Sequence, residues 1–243
     1  MSENILDLDI GNSRIKWRLS AGQCGVSETK VLEDFFAIDF GVLDRVRVSC
    51  VSNKSTQDRV VDFFSQKCLH DPEVAVSQSY CSGLKNNYKN PESLGVDRWL
   101  ASLAAWKKAE KKAVLVIDAG SALTIDTVSD KAEYLGGYII PGLEMMQKAL
   151  VGNTGKIACA IDARFYNDDR PPADTQEAVQ SGACFATLAA VERAVRLFLQ
   201  RWPNGKIWFT GGSGGALALS LAMPEAYHPD LVWMVWLLRC HSV

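Results

Sequence analysis

One short segment of this chain is written twice. Leu6-Asp7-Leu8-Asp9-Ile10-Gly11-Asn12-Ser13 lines up with Leu115-Val116-Ile117-Asp118-Ala119-Gly120-Ser121-Ala122. In each copy an apolar strand runs into an aspartate, any residue, a glycine and a small polar residue. The copies stand close to half the chain length apart. A duplicated strand–turn–strand unit at this spacing predicts two similar domains facing each other across a cleft. The 243 residues suffice for two small domains of that kind. We expect the division after Lys112, giving residues 1–112 and 113–243.

The pattern between the copies supports an α/β fold. Ile5 to Leu19 reads as a strand, a tight turn at Gly11-Asn12, and a strand carrying Ile15, Trp17 and Leu19. Val46 to Cys50 alternates at period two. Arg59 to Lys67 reads as a helix with Val60, Phe63 and Phe64 on one face. From Arg98 to Lys112, Trp99, Leu103 and Trp106 recur at helical spacing, and lysines crowd the last turns, where a helix favours cations. Ala113 to Ile117 is an apolar run expected of a strand buried on both faces. A long helix follows, capped by Asp174 or Thr175, with Leu188, Val191, Val195 and Leu199 as its buried stripe. Ile207 to Thr210 is a short strand leading into Gly211 to Gly215. The stretch Ala163 to Ala173, with its paired prolines, reads as an exposed loop. Mixed strands and helices in this order make an α/β protein.

Composition removes several functional classes. There are 26 Lys+Arg against 28 Asp+Glu, so no excess positive charge is available to neutralise nucleic-acid phosphates. Hydrophobic residues at 48% exclude a disordered chain. The seven cysteines include no Cys-x-x-Cys pair and no cluster at zinc spacing, as expected of reduced thiols in a cytoplasmic protein. Acidic residues interrupt the first nine positions, so no signal peptide is expected. The most apolar stretch, Leu231 to Leu238, falls well short of the roughly 20 residues that span a membrane.

The repeated turn has chemistry of its own. Glycine allows a sharp bend and lets a phosphate approach main-chain N–H groups. Asn12, Ser13 and Ser121 add donors beside it. The aspartates repel phosphate but can hold a cation that neutralises it. Two such turns would grip a nucleoside triphosphate from both sides; a single copy would be no more than the hairpin turn that Gly-Asn favours. Neither Gly-x-x-x-x-Gly-Lys-Ser/Thr nor Gly-x-Gly-x-x-Gly is present. Gly211 to Gly215 could admit a ribose or adenine against the backbone, or form a bare turn.

Four segments in order carry a family resemblance. Asp9-Ile10-Gly11-Asn12-Ser13, Gly95-Val96-Asp97-Arg98, Asp118-Ala119-Gly120-Ser121-Ala122 and Gly136-Gly137-Tyr138-Ile139-Ile140-Pro141-Gly142 together resemble the motif set of the type III pantothenate kinases. These belong to the acetate and sugar kinase/Hsp70/actin superfamily. The resemblance covers nearly the whole chain. It implies two ribonuclease-H-like domains and transfer of the ATP γ-phosphoryl group to the 4′-hydroxyl of pantothenate, the first step of coenzyme A synthesis. It makes Asp97 the general base. Asp9, Gly11, Asn12, Ser13 and Lys16, with Ser121, would hold ATP. Tyr88, Gly95, Val96, Arg98 and Thr175 would border pantothenate. Asp118 would bind a monovalent cation, potassium or ammonium, and ATP would bring a divalent cation such as Mg2+. A homodimer is implied as well, with apolar material to spare around Trp233 and Trp236. Two departures stand out: Ser13 and Ser121 replace threonines common in the family, and Val232 to Leu238 lacks its usual glycine.

Two rival readings remain at this stage. Another small-molecule kinase of the superfamily is one, although the cysteine-rich zinc motif of many sugar kinases is absent. A non-catalytic, transcription-accessory relative is the other. Retention of Asp9, Asp97 and Asp118 argues against it, because a scaffold has no physical need for all three carboxylates.

Overall fold

The computed structural model describes residues 3–154, 159–162, 164–165 and 170–231. In chain order the strands and helices are β1 (Ile5–Ile10), β2 (Arg14–Leu19), β3 (Cys24–Glu28), α1 (Leu32–Phe36), β4 (Arg45–Cys50), α2 (Lys54–Ser65), β5 (Glu73–Val74), β6 (Tyr80–Cys81), β7 (Leu84–Asn86), α3 (Val96–Lys108), β8 (Val114–Ala119), β9 (Ala122–Val128), β10 (Glu133–Pro141), α4 (Leu143–Asn153), α5 (Thr175–Arg201), β11 (Lys206–Thr210) and α6 (Gly214–Ser220). The chain forms two compact units. One comprises Met1–Ser82 and Lys89–Leu100, the other Gly83–Tyr88 and Ala101–Leu231.

In the first unit the sheet order is β3-β2-β1-β4-β5, with β2 antiparallel and β4 parallel to β1. Period-two alternation sends Leu6, Leu8 and Ile10 to one face, where they join Ile15, Leu19, Val46 and Val48. Phe35 of α1 and Val60 and Phe64 of α2 cover this face. Helix α2 begins earlier than its apolar spacing predicts. Asn53 caps it by accepting from Thr56 N at 2.9 Å, and the polar first turn carries no hydrophobic signal.

The second unit repeats the plan. Its sheet contains β11-β8-β9-β10-β7 in that order, with β9 antiparallel and β11 parallel to β8. The duplication thus reaches beyond the repeated turn: β8, β9 and β11 stand as β1, β2 and β4 do. Leu115 and Ile117 pack with Leu123, Ile125, Val191 and Phe198, placing the 27-residue α5 against the sheet.

Several elements differ from expectation. Helix α3 runs Val96–Lys108 rather than from Arg98 to Lys112, and Glu110 and Lys111 at φ 54° and 65° stop its continuation. Strand β8 extends through Asp118 to Ala119. The expected loop at 163–173 is exposed at residues 170–173, but Phe165 packs against the core beside α5; the rest of it lies outside the described residues. So do Trp233, Trp236 and the C-terminal stretch. Cys24, Cys50, Cys68, Cys159 and Cys184 are free thiols, whereas Cys81 is disulfide-bonded, which departs from an all-reduced set. Among the described residues no helix is long and apolar enough to cross a membrane.

Candidate active site

On the face of the first sheet opposite its core, two cross-strand rows lie side by side. Asp7 is flanked by Arg18 on β2 and Arg47 on β4; Asp9 is flanked by Lys16 on β2 and Ser49 on β4. The rows differ in charge. Arg47 Nε donates to Asp7 Oδ1 at 2.6 Å and Arg18 stands 3.7 Å from Oδ2, so Asp7 meets two cations. Burial nevertheless pushes the Asp7 carboxyl up, against the pull of both arginines. Asp9 has one cation and one neutral hydroxyl. Its carboxyl is also pushed up, first by burial; Lys16 and Ser49 oppose this and the nearby Asp97 carboxylate adds to it. Asp7 is thereby a closed structural ion group, while Asp9 retains capacity for another positive partner.

The turn after Asp9 is tied from both sides. Gly11 N donates to Arg14 O at 2.9 Å, and Thr29 Oγ1 donates to Gly11 O at 2.9 Å. Asn12, Ser13 and Lys16 are exposed. Thr29, which the motif reading does not include, anchors the turn from beyond β3.

Asp97 lies inside the first turn of α3 rather than at its cap. Trp99 N donates to Gly95 O at 3.1 Å, which closes the first turn, and Asp97 Oδ1 accepts from Arg98 N at 2.7 Å. Gly95 is there for space: a Cβ on it would stand 2.7 Å from Asp97 Oδ1. Arg98 is buried. Beside Gly95 and Val96 opens a cavity of about 870 Å3, lined also by Cys50, Gln57, Ser77 and Asn90. That volume falls in the range of small-molecule sites.

The second turn is built from glycines. Gly120 N donates to Ala122 O at 3.0 Å, and Gly142 N donates to Ser121 O at 3.2 Å. A Cβ on Gly142 would fall 2.5 Å from Ser121 O, which explains why the fourth motif ends in glycine. Gly211 takes φ 84°, and a side chain there would run into the Asp118 carboxylate. The glycine cluster after β11 therefore packs Asp118 and opens α6.

Of the expected substrate contacts, Gly95, Val96, Asp97 and Arg98 share the first unit with Asp9, Gly11, Asn12, Ser13 and Lys16. Tyr88, Asp118, Ser121 and Thr175 belong to the second. Tyr88 is half-buried beside Tyr134, ring centroids 6.1 Å apart, with its N–H on Asn86 Oδ1 at 3.0 Å. Asp174 is the cap of α5, accepting from Glu177 N at 2.9 Å; Thr175 is exposed in the first turn and is not the cap. Among the described residues no three His, Cys, Asp or Glu side chains group into a metal cage.

The fold defines the class first. The chain has the two-domain α/β fold of the acetate and sugar kinase/Hsp70/actin superfamily. A Campylobacter jejuni protein described as a Baf family transcriptional activator matches at TM-score 0.63 and 21% identity, over 95% of this chain and 94% of that one. Ta0583, an archaeal actin homolog, matches at TM-score 0.51 and 10% identity, over 96% and 98%. The family model described as type III pantothenate kinase matches residues 5–197. Type III pantothenate kinases from Nitrosomonas eutropha and Nitrosospira multiformis are 33% and 35% identical, over 96% and 81% of this chain and 92% and 75% of the relatives. This chain belongs to the type III pantothenate kinase family, and so to the ATP-dependent kinases.

Proposed function

We propose that this protein transfers the γ-phosphoryl group of ATP to the 4′-hydroxyl of pantothenate, with Asp97 as general base. The hydroxyl oxygen forms a bond to the γ-phosphorus as its proton passes to Asp97 and the bond to the β-phosphate oxygen breaks, releasing ADP. Phosphoryl transfer needs positioning and charge neutralisation more than covalent chemistry, so phosphate turns, cations and one base suffice. The observation that carries this is the placement of Asp97 within electrostatic reach of Asp9, in a helix turn kept clear by Gly95.

Asp9, Gly11, Asn12, Ser13 and Lys16 serve the ATP phosphates, as does Ser121 from the second repeat. Asp9 is suited to the divalent cation that accompanies ATP, since its row is short of one positive charge. Asp118, packed by Gly211, is our candidate for a monovalent cation, potassium or ammonium. Gly95, Val96 and Arg98, with Tyr88 and the exposed Thr175, border pantothenate; the cavity beside Gly95 gives its chain room. Residues 1–112 supply the first turn and the base, and residues 113–243 the second turn and the glycine cluster. We assign the protein to the cytoplasm and to a homodimer. Tyr138, Ile139, Met145 and Phe185, large apolar side chains exposed on β10, α4 and α5, support the dimer.

The test is product formation. ATP, Mg2+, K+ and pantothenate are incubated with the protein, ADP release is followed, and the product is identified by mass spectrometry. Stoichiometric ADP and phosphopantothenate support the proposal. ADP release that ignores pantothenate, or none with any cation supplied, overturns it.

A further inference from the structure

Each strand-end aspartate stands between two cross-strand neighbours. For Asp9 these are Lys16 on the antiparallel strand and Ser49 on the parallel one. For Asp118 they are Thr124 and Thr210. A hydroxyl on the parallel strand thus recurs in both units, although Val46-Arg47-Val48-Ser49-Cys50 and Ile207-Trp208-Phe209-Thr210-Gly211 share no residue. Ser49 and Thr210 are both buried.

A sealed hydroxyl costs stability unless it finds a partner. Ser49 Oγ meets none in strict hydrogen-bond geometry. The strand register sets it directly beside Asp9, on the same face of the sheet. The neighbouring row shows the alternative: Arg47, in the position equivalent to Ser49, closes off Asp7 with a full positive charge. An arginine beside Asp9 would compete with an incoming cation, and an alanine would leave the carboxylate without a donor on that side. Serine does neither, because it offers a single neutral O–H.

We propose that Ser49 is a positioning residue for phosphoryl transfer, its hydroxyl turning to the Asp9 carboxylate across the strand pair so that the carboxylate stays aimed at the cation-bound phosphates. This rests on Asp9 serving ATP as proposed above. The other charged or titratable groups that act on Asp9 are Lys16 on β2, Asp97 in α3 and Cys50 at the end of β4, whose thiol is itself pushed up by burial and by Asp9.

The experiment compares Ser49→Thr with Ser49→Val, which match in volume and differ in the hydroxyl. Ser49→Cys replaces Ser49→Val should the latter not fold. KM for Mg-ATP, KM for pantothenate, kcat and the melting temperature are measured for each. A donor to a charged group is worth about a factor of ten or more. We expect Ser49→Val to raise KM for Mg-ATP about tenfold, leaving KM for pantothenate unchanged. Ser49→Thr should restore the parental KM for Mg-ATP. Equal Mg-ATP KM in the two variants overturns the proposal, even if their melting temperatures differ. Asp9→Asn is run alongside. If it weakens Mg-ATP binding while Thr and Val behave alike, only the role of Ser49 fails; if it leaves Mg-ATP binding intact, the assignment of Asp9 fails and takes Ser49 with it.

Discussion

Asp9 carries a stability penalty, which the role proposed for it at the ATP phosphates accounts for. Burial raises its carboxyl above the ordinary value of 3.8, so the folded protein holds that proton to higher pH than the unfolded chain does. Stability from this group is therefore lost as pH rises from the ordinary carboxylate range through the raised folded-state value. Asp9→Asn removes the charge, so it should raise the melting temperature at pH 7 while weakening Mg-ATP binding. The gain should shrink as the pH approaches 3.8, where the parent carboxyl is also protonated. Thermal unfolding across pH checks this; a lower melting temperature at pH 7 would contradict it. Gly95 predicts a different pattern. In Gly95→Ala the new Cβ meets Asp97 Oδ1, and the carboxylate must turn away. Turnover should fall at least about tenfold with the fold retained, since misplacement by a fraction of an ångström is costly to an oriented base. An alanine variant with parental turnover would show that Asp97 has slack.

At the scale of elements, what was legible depended on local periodicity. The β1–β2 hairpin, β4, β8 and α5 announced themselves through alternation or a stripe, because each buries one defined face. Strand β9 did so only through the repeat and β10 not at all: Thr124, Asp126 and Gly136-Gly137 interrupt their apolar pattern, and their pairing is fixed by β8 and by the turn at Gly142. The repeat showed the two aspartates but not the hydroxyls beside them, since Ser49 and Thr210 sit in strands with no shared residues and meet the aspartates only through register. The glycines of the fourth motif likewise had no visible reason until Gly142 was seen against Ser121 O. Gly142→Ala should therefore destabilise by about 1–3 kcal/mol, the usual cost of forcing an atom into packed backbone. Denaturant unfolding measures it, and a change within error would mean the turn can shift. Asp174→Ala should cost about 1 kcal/mol as a lost cap, leaving the exposed Thr175 available to substrate.

For the whole molecule, near-neutral charge and an ordinary apolar content say only that the chain is globular. The duplication, together with four motifs in register, says far more, because unrelated folds have no reason to place strand-end aspartates at matching positions in two sheets. Association is the property written least clearly in sequence. Tyr138, Ile139 and Phe185 look like ordinary strand and helix residues until their exposure is known. Sedimentation at micromolar concentration should give about twice the monomer mass of 26.7 kDa, and Phe185→Asp should shift it toward one. A monomeric parent with full turnover would remove the dimer from the account. Activity should also fall sharply in choline buffer and return with potassium or ammonium, and Asp118→Asn should blunt that response.

The base is the centre of the proposed chemistry, and Asp97→Asn reaches it most directly. Asparagine keeps the size of the side chain and the oxygen that accepts from Arg98 N, so folding and ATP binding should survive. General-base assistance is worth about 10²–10⁴ in rate. Pantothenate-dependent ADP release under saturating substrates should therefore fall by at least about a hundredfold, with KM for pantothenate changing less than kcat. An Asp97→Asn protein that phosphorylates pantothenate within a few-fold of the parent rate would contradict the account and leave Asp97 as a helix-terminal carboxylate alone.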